Sequence, residues 1–390
     1  MTEQTHFRLQ FIVFALVSAS FTNIYITQPV LPVLQQEFAT DTVLVSFTVS
    51  AVILGIAISN LPFGILADKL PIHPIVLVGG VAVAGGGWIC SVSNNLWVLI
   101  GARFLQGLFI PALTTCLAAY LAKTLPADRL NVVMGSYVSA TVLGGLGGRL
   151  IGGWTHQPLH WRYAFVTASI LILTATFAAL LGLPKMSVDT RRQSHAIGFV
   201  ALLRRWELLR IYFCAAGSFA VFSSIFNYLP FRLASPPFNF STQMTTLFYI
   251  VYIVGIFIGP VAGKLSDRFG SGNTLIGGSG VLGVSLALIL MPSIPSVVLG
   301  LLGLCAGFFS IHAAAVGSLN RKLLHGQGRA NALYVLFYYT GGWVGITGTG
   351  LALKHGGWGA VIFSCVFFLI IPLGTGIGGR KRRMAVNNHP

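Results

Sequence analysis

The sequence is short of charge, and above all of negative charge. Only 8% of its 390 residues are charged, and just eight are acidic: Glu3, Glu37, Asp41, Asp68, Asp128, Asp189, Glu207 and Asp267. A soluble domain carries about a quarter charged residues, so this length is not spent on a soluble two-domain fold. The five cysteines (Cys90, Cys116, Cys214, Cys305, Cys365) lie in apolar stretches without CxxC or CxxxH spacing. They read as small buried hydrophobes, not as disulfides or metal ligands. No His/Asp/Glu cluster, nucleophile motif or phosphate loop is present, which leaves an enzyme, or a receptor without a soluble domain, poorly supported. The net charge of +16 comes without a basic face or aromatic–basic interleaving, so nucleic acid is not the expected partner.

What the chain has is hydrophobe, 55% of it, with positive mean hydropathy. A helix needs about 20 apolar residues to cross ~30 Å of hydrocarbon. Reading runs against breakers predicts twelve spans, numbered in order: 8–34, 43–66, 74–93, 96–122, 131–154, 161–184, 207–230, 241–264, 273–292, 295–319, 330–353 and 357–379. The first run continues through "FTNIYITQPVLPVL", too long for a signal-peptide core, and is expected to be a retained span. The long polar connection 185–206 divides the chain into bundles of 1–184 and 207–390, and its "HAIGFVALLRRW" has the pattern of a short amphipathic helix on the membrane surface. With both termini inside, the tails, the inner loops and the inner ends of the spans hold 19 Lys/Arg and the outer loops three, Arg162, Arg232 and Lys354. That asymmetry predicts cytoplasmic termini in a bacterial-type inner membrane.

The halves repeat at an offset of about 200 residues. "GILADKLP" (64–71) aligns with "GKLSDRFG" (263–270), pairing Asp68 with Asp267 and Lys69 with Arg268; Asn131 aligns with Asn331, Gly107 with Gly307 and Gly145 with Gly345. Six plus six spans in one orientation suit a transporter that rocks two halves about a central site. The loop motif after spans 2 and 8, with "RFLQG" (103–107) in span 4, resembles the major facilitator superfamily over nearly the whole chain. "GGLGGRLIGG" in span 5 is similar to that superfamily's antiporter motif through Gly144, Gly148, Gly152 and Gly153, with Arg149 standing at the motif's proline. "TQPVLPVLQQEF", "GGRLIGG" and "FNYLPFRL" resemble the twelve-span drug:proton antiporter family, in its arabinose-efflux-permease-like branch. The resemblance implies an all-α membrane fold of two six-helix bundles around a central cavity. It also implies that Asp68, Lys69, Asp267 and Arg268 gate the inner side, each carboxylate capping a helix N-terminus of span 5 or span 11. The first latch, which ends "LPIHP" where the family has arginines, is expected to be the weaker.

No acid falls well inside a span, where many proton-coupled relatives carry one. The titratable residue left there is His312 in span 10, a candidate proton acceptor; the plainer reading is a neutral histidine bonded to a neighbouring helix. Arg103 lies ~10 Å deep by helix rise. The resemblance suggests a part for it in proton coupling, and the alternative is an arginine that satisfies backbone carbonyls around the Pro29 and Pro32 kink. Arg149 sits at similar depth on span 5, on the stripe of Tyr137, Thr141, Gly145 and Gly153. Gly144, Gly148 and Gly152 form the adjoining stripe, suited to close helix packing. Snorkelling outward, or pairing with Glu37 or Asp41, is one reading of Arg149. Holding an anionic group of a substrate is the other. Asn23, Tyr25, Gln28, Asn227, Tyr228, Tyr338 and Tyr339 complete a polar and aromatic set of fixed positive sign, which disfavours cations. The predicted function is proton-coupled export of a small neutral or anionic compound. The alternative is an importer, uniporter or anion exchanger for a carboxylate-type metabolite or siderophore. No cofactor beyond the proton gradient is implied, and the chain is expected to be a monomer in the lipid bilayer.

Overall fold

The structure, a computed structural model, describes residues 3–125, 127–184, 198–323 and 326–387. Every regular element among them is helical, and ten helices are long and apolar enough to cross a membrane. The last of these, Gln327–Arg380, carries spans 11 and 12 in one run, bent where Gly357 takes φ 65°. Span 5, rich in glycine, is the separate helix Ala127–His156. The twelve predicted spans are therefore all helical.

Breaks in these helices follow the prolines and caps. Span 1 runs as helix Glu3–Tyr25, a 3-10 turn Gln28–Val30 and helix Leu31–Glu37. Pro29 and Pro32 lack the N–H groups that would continue the ladder, so the carbonyls of the last turn before them are left without helical partners. In span 4 the helix Leu96–Leu113 yields to Thr115–Thr124 just past Pro111. The Asn95 side chain opens span 4 by accepting from the N–H groups of Trp97 and Val98. Within the interdomain connection lies the short helix Phe199–Arg204; residues 185–197 are outside the described set. All five cysteines are buried, and among the described residues none forms a disulfide.

The chain forms two compact units. The first comprises Met1–Thr40, Phe47–His195 and Phe240–Tyr249; the second comprises Asp41–Ser46, Ala196–Asn239 and Ile250–Pro390.

In the first unit span 5 lies against span 1 with no room for side chains between them. A Cβ on Gly144, Gly148 or Gly152 would stand 2.3, 2.2 or 1.9 Å from the carbonyl oxygens of Ser18, Thr22 and Ile26. Both helices step by four residues, so the contact is one continuous stripe. The second unit repeats it between spans 11 and 7: a Cβ on Gly341 would meet the Ala216 oxygen at 2.3 Å, and one on Gly345 the Ala220 Cα at 2.6 Å. Gly345 is therefore the counterpart of Gly148, which corrects the sequence alignment to Gly145. A repeat read from matching letters slipped by three residues because both helices are rich in glycine.

Candidate transport site

Arg103 is fully buried in the first unit. Its Nε donates to the Thr48 oxygen at 2.8 Å, Nη1 to the Asn23 oxygen and to Gln106 Oε1, both at 2.6 Å, and Nη2 to the Ile24 oxygen at 2.6 Å. Asn23 and Ile24 are in the last turn before the Pro29 break, so the guanidinium takes up carbonyls the broken helix leaves unsatisfied. Gln106 extends the brace, its Nε2 donating to the Val83 oxygen at 2.9 Å and to Asn23 Oδ1 at 3.3 Å. Span 4 is thereby tied to spans 1, 2 and 3. The contact with span 1 is the expected one, and these bonds brace the broken helix.

Arg149 is only 1% exposed, so it does not snorkel. Its Nε donates to Gln28 Oε1 at 2.7 Å and its Nη1 to the Gly145 oxygen at 2.8 Å. The guanidinium lies 4.1 Å from the Tyr25 ring centre and 5.4 Å from that of Tyr249, distances at which ring quadrupoles attract a cation. The expected pairing with Glu37 or Asp41 gives way to other partners for both acids. Glu37 accepts from Arg162 Nη1 at 2.8 Å and from the Trp161 indole. Asp41 binds Lys354 Nζ at 2.8 Å, and that ammonium holds its carboxyl below the ordinary range. Within the cage the Gln28 Nε2 is buried with no hydrogen-bond partner. Arg149, Gln28 and Tyr25 were legible as candidates. Tyr249 was not, because a tyrosine in span 8 is unremarkable until folding brings it over the arginine.

In the second unit His312 meets an aromatic cluster built from spans 7, 8, 10 and 11. Its Nδ1 lies 3.0 Å from Tyr334 Oη, and its ring is 5.5 Å from those of both Tyr334 and Tyr338. Tyr338 stacks on Phe219 at 3.8 Å, and Phe222 on Phe308 at 4.0 Å. His312 and Tyr338 are half-buried. Asn227 and Tyr228 are fully buried, with Asn227 Nδ2 donating to Ser46 Oγ at 3.1 Å and Tyr228 Oη to the Ile346 oxygen at 2.7 Å. These two act in this conformation as packing residues.

The N-terminal turns of spans 5 and 11, which the loop carboxylates were expected to cap, include residues 126, 324 and 325, outside the described set. Asp68 pairs with Lys123 at 2.7 Å and Asp267 with Arg321 at 2.9 Å, each partner ending the fourth span of its own half. Arg321 also donates to Ser266 and Ser271, while Lys123 also donates to the Ala67 oxygen. Lys69 and Arg268 are exposed. Nearly equal spacings, 55 and 54 residues, were the overlooked sequence signal. With Asp267 72% exposed, an ion pair of this kind carries about 0–1 kcal/mol. Asp267→Asn should therefore lower the melting temperature of the purified protein by at most about 4 °C, and a larger fall would show the pair to be structural.

A family model described as Major Facilitator Superfamily matches residues 13–346. The chain belongs to that superfamily. It is 27% identical over 377 residues to the MFS-type transporter YybF of Bacillus subtilis, covering 94% of this chain and 92% of that one. To the inner membrane transport protein YnfM of Escherichia coli it is 28% identical over 384 residues, covering 96% and 91%. Its fold matches a bacterial homologue of the human lysosomal transporter Spinster, in an inward-facing and occupied conformation, with a TM-score of 0.77 at 13% identity over 98% of each chain. It matches the human organic anion transporter MFSD10 (TETRAN) with a TM-score of 0.73 at 16% identity, over 96% of this chain and 100% of that one. This superfamily member is a multi-pass membrane transport protein, not an enzyme.

Proposed function

We propose that the protein is a plasma-membrane exporter, both termini cytoplasmic, that moves a small neutral or anionic organic compound by alternating access in exchange for protons. The observation that carries the reading is the Arg149 cage. A guanidinium deep in span 5, with a glutamine amide beside it and tyrosine rings against it, is suited to a carboxylate or another planar anion. In the other unit His312, whose Nδ1 lies 3.0 Å from Tyr334 Oη, is the candidate proton acceptor. The organic anion named for the structural neighbour MFSD10 agrees in sign. In the transport cycle, Tyr25 and Tyr249 uncover Arg149 when the site opens to the substrate.

The test is purified protein in liposomes with an internal pH dye. Addition of substrate should evoke proton movement, and His312→Ala should abolish that movement while sparing substrate counterflow. Counterflow without proton movement in the unaltered protein would favour the exchanger or uniporter. Arg149→Lys keeps the charge but loses the planar fork. It should weaken an anionic substrate tenfold or more, since a charged hydrogen bond is worth about 1.5–3 kcal/mol, and leave a neutral one nearly unchanged. Equal loss for both would remove Arg149 from substrate recognition.

A further inference from the structure

In the Arg149 cage the packing leaves the Gln28 Nε2 buried and without a hydrogen-bond partner. Most buried polar atoms in folded proteins are paired, and an unmet amide donor costs free energy. The backbone explains why Gln28 is held there. It opens the 3-10 turn Gln28–Val30, in which its carbonyl accepts from the Leu31 N–H and the Val30 N–H donates to the Thr27 oxygen at 3.2 Å. Just before the turn, Thr27 Oγ1 donates to the Thr48 oxygen of span 2 at 3.4 Å. The close approach of Gly152 to the Ile26 oxygen sets the same stretch against span 5. Gln28 is wholly buried as a result.

The amide has one orientation compatible with its neighbour. Arg149 Nε donates to Gln28 Oε1 at 2.7 Å, and a flipped amide would set N–H against N–H, because a guanidinium has five donors and no acceptor. The Nε2 is therefore fixed close to the guanidinium. Arg149 takes the acceptor of the amide and leaves its donor unmet, so what Gln28 offers a solute is N–H alone.

We propose that Gln28 is a specificity-determining residue of the transport site, its Nε2 donating to one oxygen of an ionised carboxylate whose charge lies on Arg149. The site then takes a carboxylate and rejects the carboxamide of the same shape. This rests on the reading of Arg149 as the anchor of the substrate. A carboxylate presents acceptors only, whereas a carboxamide has one oxygen for the two donors and turns its NH2 on the other. A site built to hydrogen-bond a polar group strongly rejects the analogue that leaves its donors unpaired. The unmet donor disfavours the closed, empty cage, and a bound carboxylate relieves it.

The test uses the purified full chain in detergent, with benzoate and benzamide as probes and calorimetric titration and thermal melting as readouts. Benzoate should bind the unaltered protein at least about tenfold more tightly than benzamide. Gln28→Glu keeps the acceptor for Arg149 and replaces the unmet donor by an acceptor. It should melt no lower than the unaltered protein, and its ratio of benzoate to benzamide affinity should fall at least about tenfold. Gln28→Met lacks both donor and acceptor and should lower the ratio several-fold. If Gln28→Glu does not yield folded protein, Gln28→Met decides by itself. Absence of benzoate binding, or equal binding of the two probes by the unaltered protein, overturns the proposal. A changed melting temperature with an unchanged ratio is what a buried water on Nε2 would give, and overturns it as well. Arg149→Lys separates the two claims. If that variant loses benzoate while the ratio survives both Gln28 substitutions, the anchor stands and the part of Gln28 falls; if Arg149→Lys binds benzoate as before, the anchor falls and this proposal with it.

Discussion

Arg103→Ala should abolish the folded protein rather than merely slow transport. The guanidinium serves the carbonyls of Asn23, Ile24 and Thr48 and the Gln106 amide oxygen, all in a fully buried place. Alanine leaves these four acceptors unsatisfied and opens a cavity where the side chain had been. Each buried orphan costs about 1–3 kcal/mol. Together they rival the ~5–15 kcal/mol by which a domain is stable. Arg103→Lys should fall between, because one ammonium has three donors but cannot reach carbonyls on two helices with a planar fork. The yield of monodisperse protein on size exclusion and its melting temperature are the measurements. Wild-type yield and melting temperature in Arg103→Ala, with only transport altered, would move Arg103 from the brace to the transport chemistry.

The second large effect is expected at the glycine stripe of span 5, where neighbouring positions should respond differently. Gly148→Ala places a methyl 2.2 Å from the Thr22 oxygen, and Gly152→Ala 1.9 Å from the Ile26 oxygen. Because the obstruction is backbone, no rotamer change relieves it and spans 1 and 5 must move apart. Overpacking typically costs about 1–3 kcal/mol. Here the separation would also loosen Arg149, which spans the same two helices through Gln28. Gly147→Ala is the control, since its new methyl meets nothing closer than Thr22 Oγ1 at 3.6 Å. That substitution should leave stability unchanged or raise it, by up to about 1 kcal/mol from helix propensity. Thermal melts of the three variants decide it; indistinguishable Gly147→Ala and Gly148→Ala proteins would refute the stripe.

The spans were legible in the sequence because hydropathy runs of membrane length are a one-dimensional signal. The stripe of Gly144, Gly148 and Gly152 was legible for a related reason, since a period of four places residues on one face whatever they meet. Partners were less legible. Glu37 and Asp41 looked available to Arg149 because they follow span 1, yet folding commits them to Arg162 and Lys354. Asp68 and Asp267 were matched correctly to each other as repeats, while Lys123 and Arg321, more than fifty residues further on, carry no local pattern.

The amino-acid sequence by itself determined a twelve-span, two-bundle membrane protein with two arginines and a histidine where the bilayer tolerates few polar groups. Composition, span length and the cost of burying charge act on each segment separately, so no tertiary information was required. Only the tertiary structure decided what each polar group does. It made Arg103 a brace for a proline-broken helix, put Arg149 against two tyrosines, tied His312 to Tyr334, and kept Asp68 and Asp267 on basic partners of their own halves. The physical reason is that a buried polar group must find its hydrogen bonds within about 3 Å, and which atoms come that close is settled by helix packing.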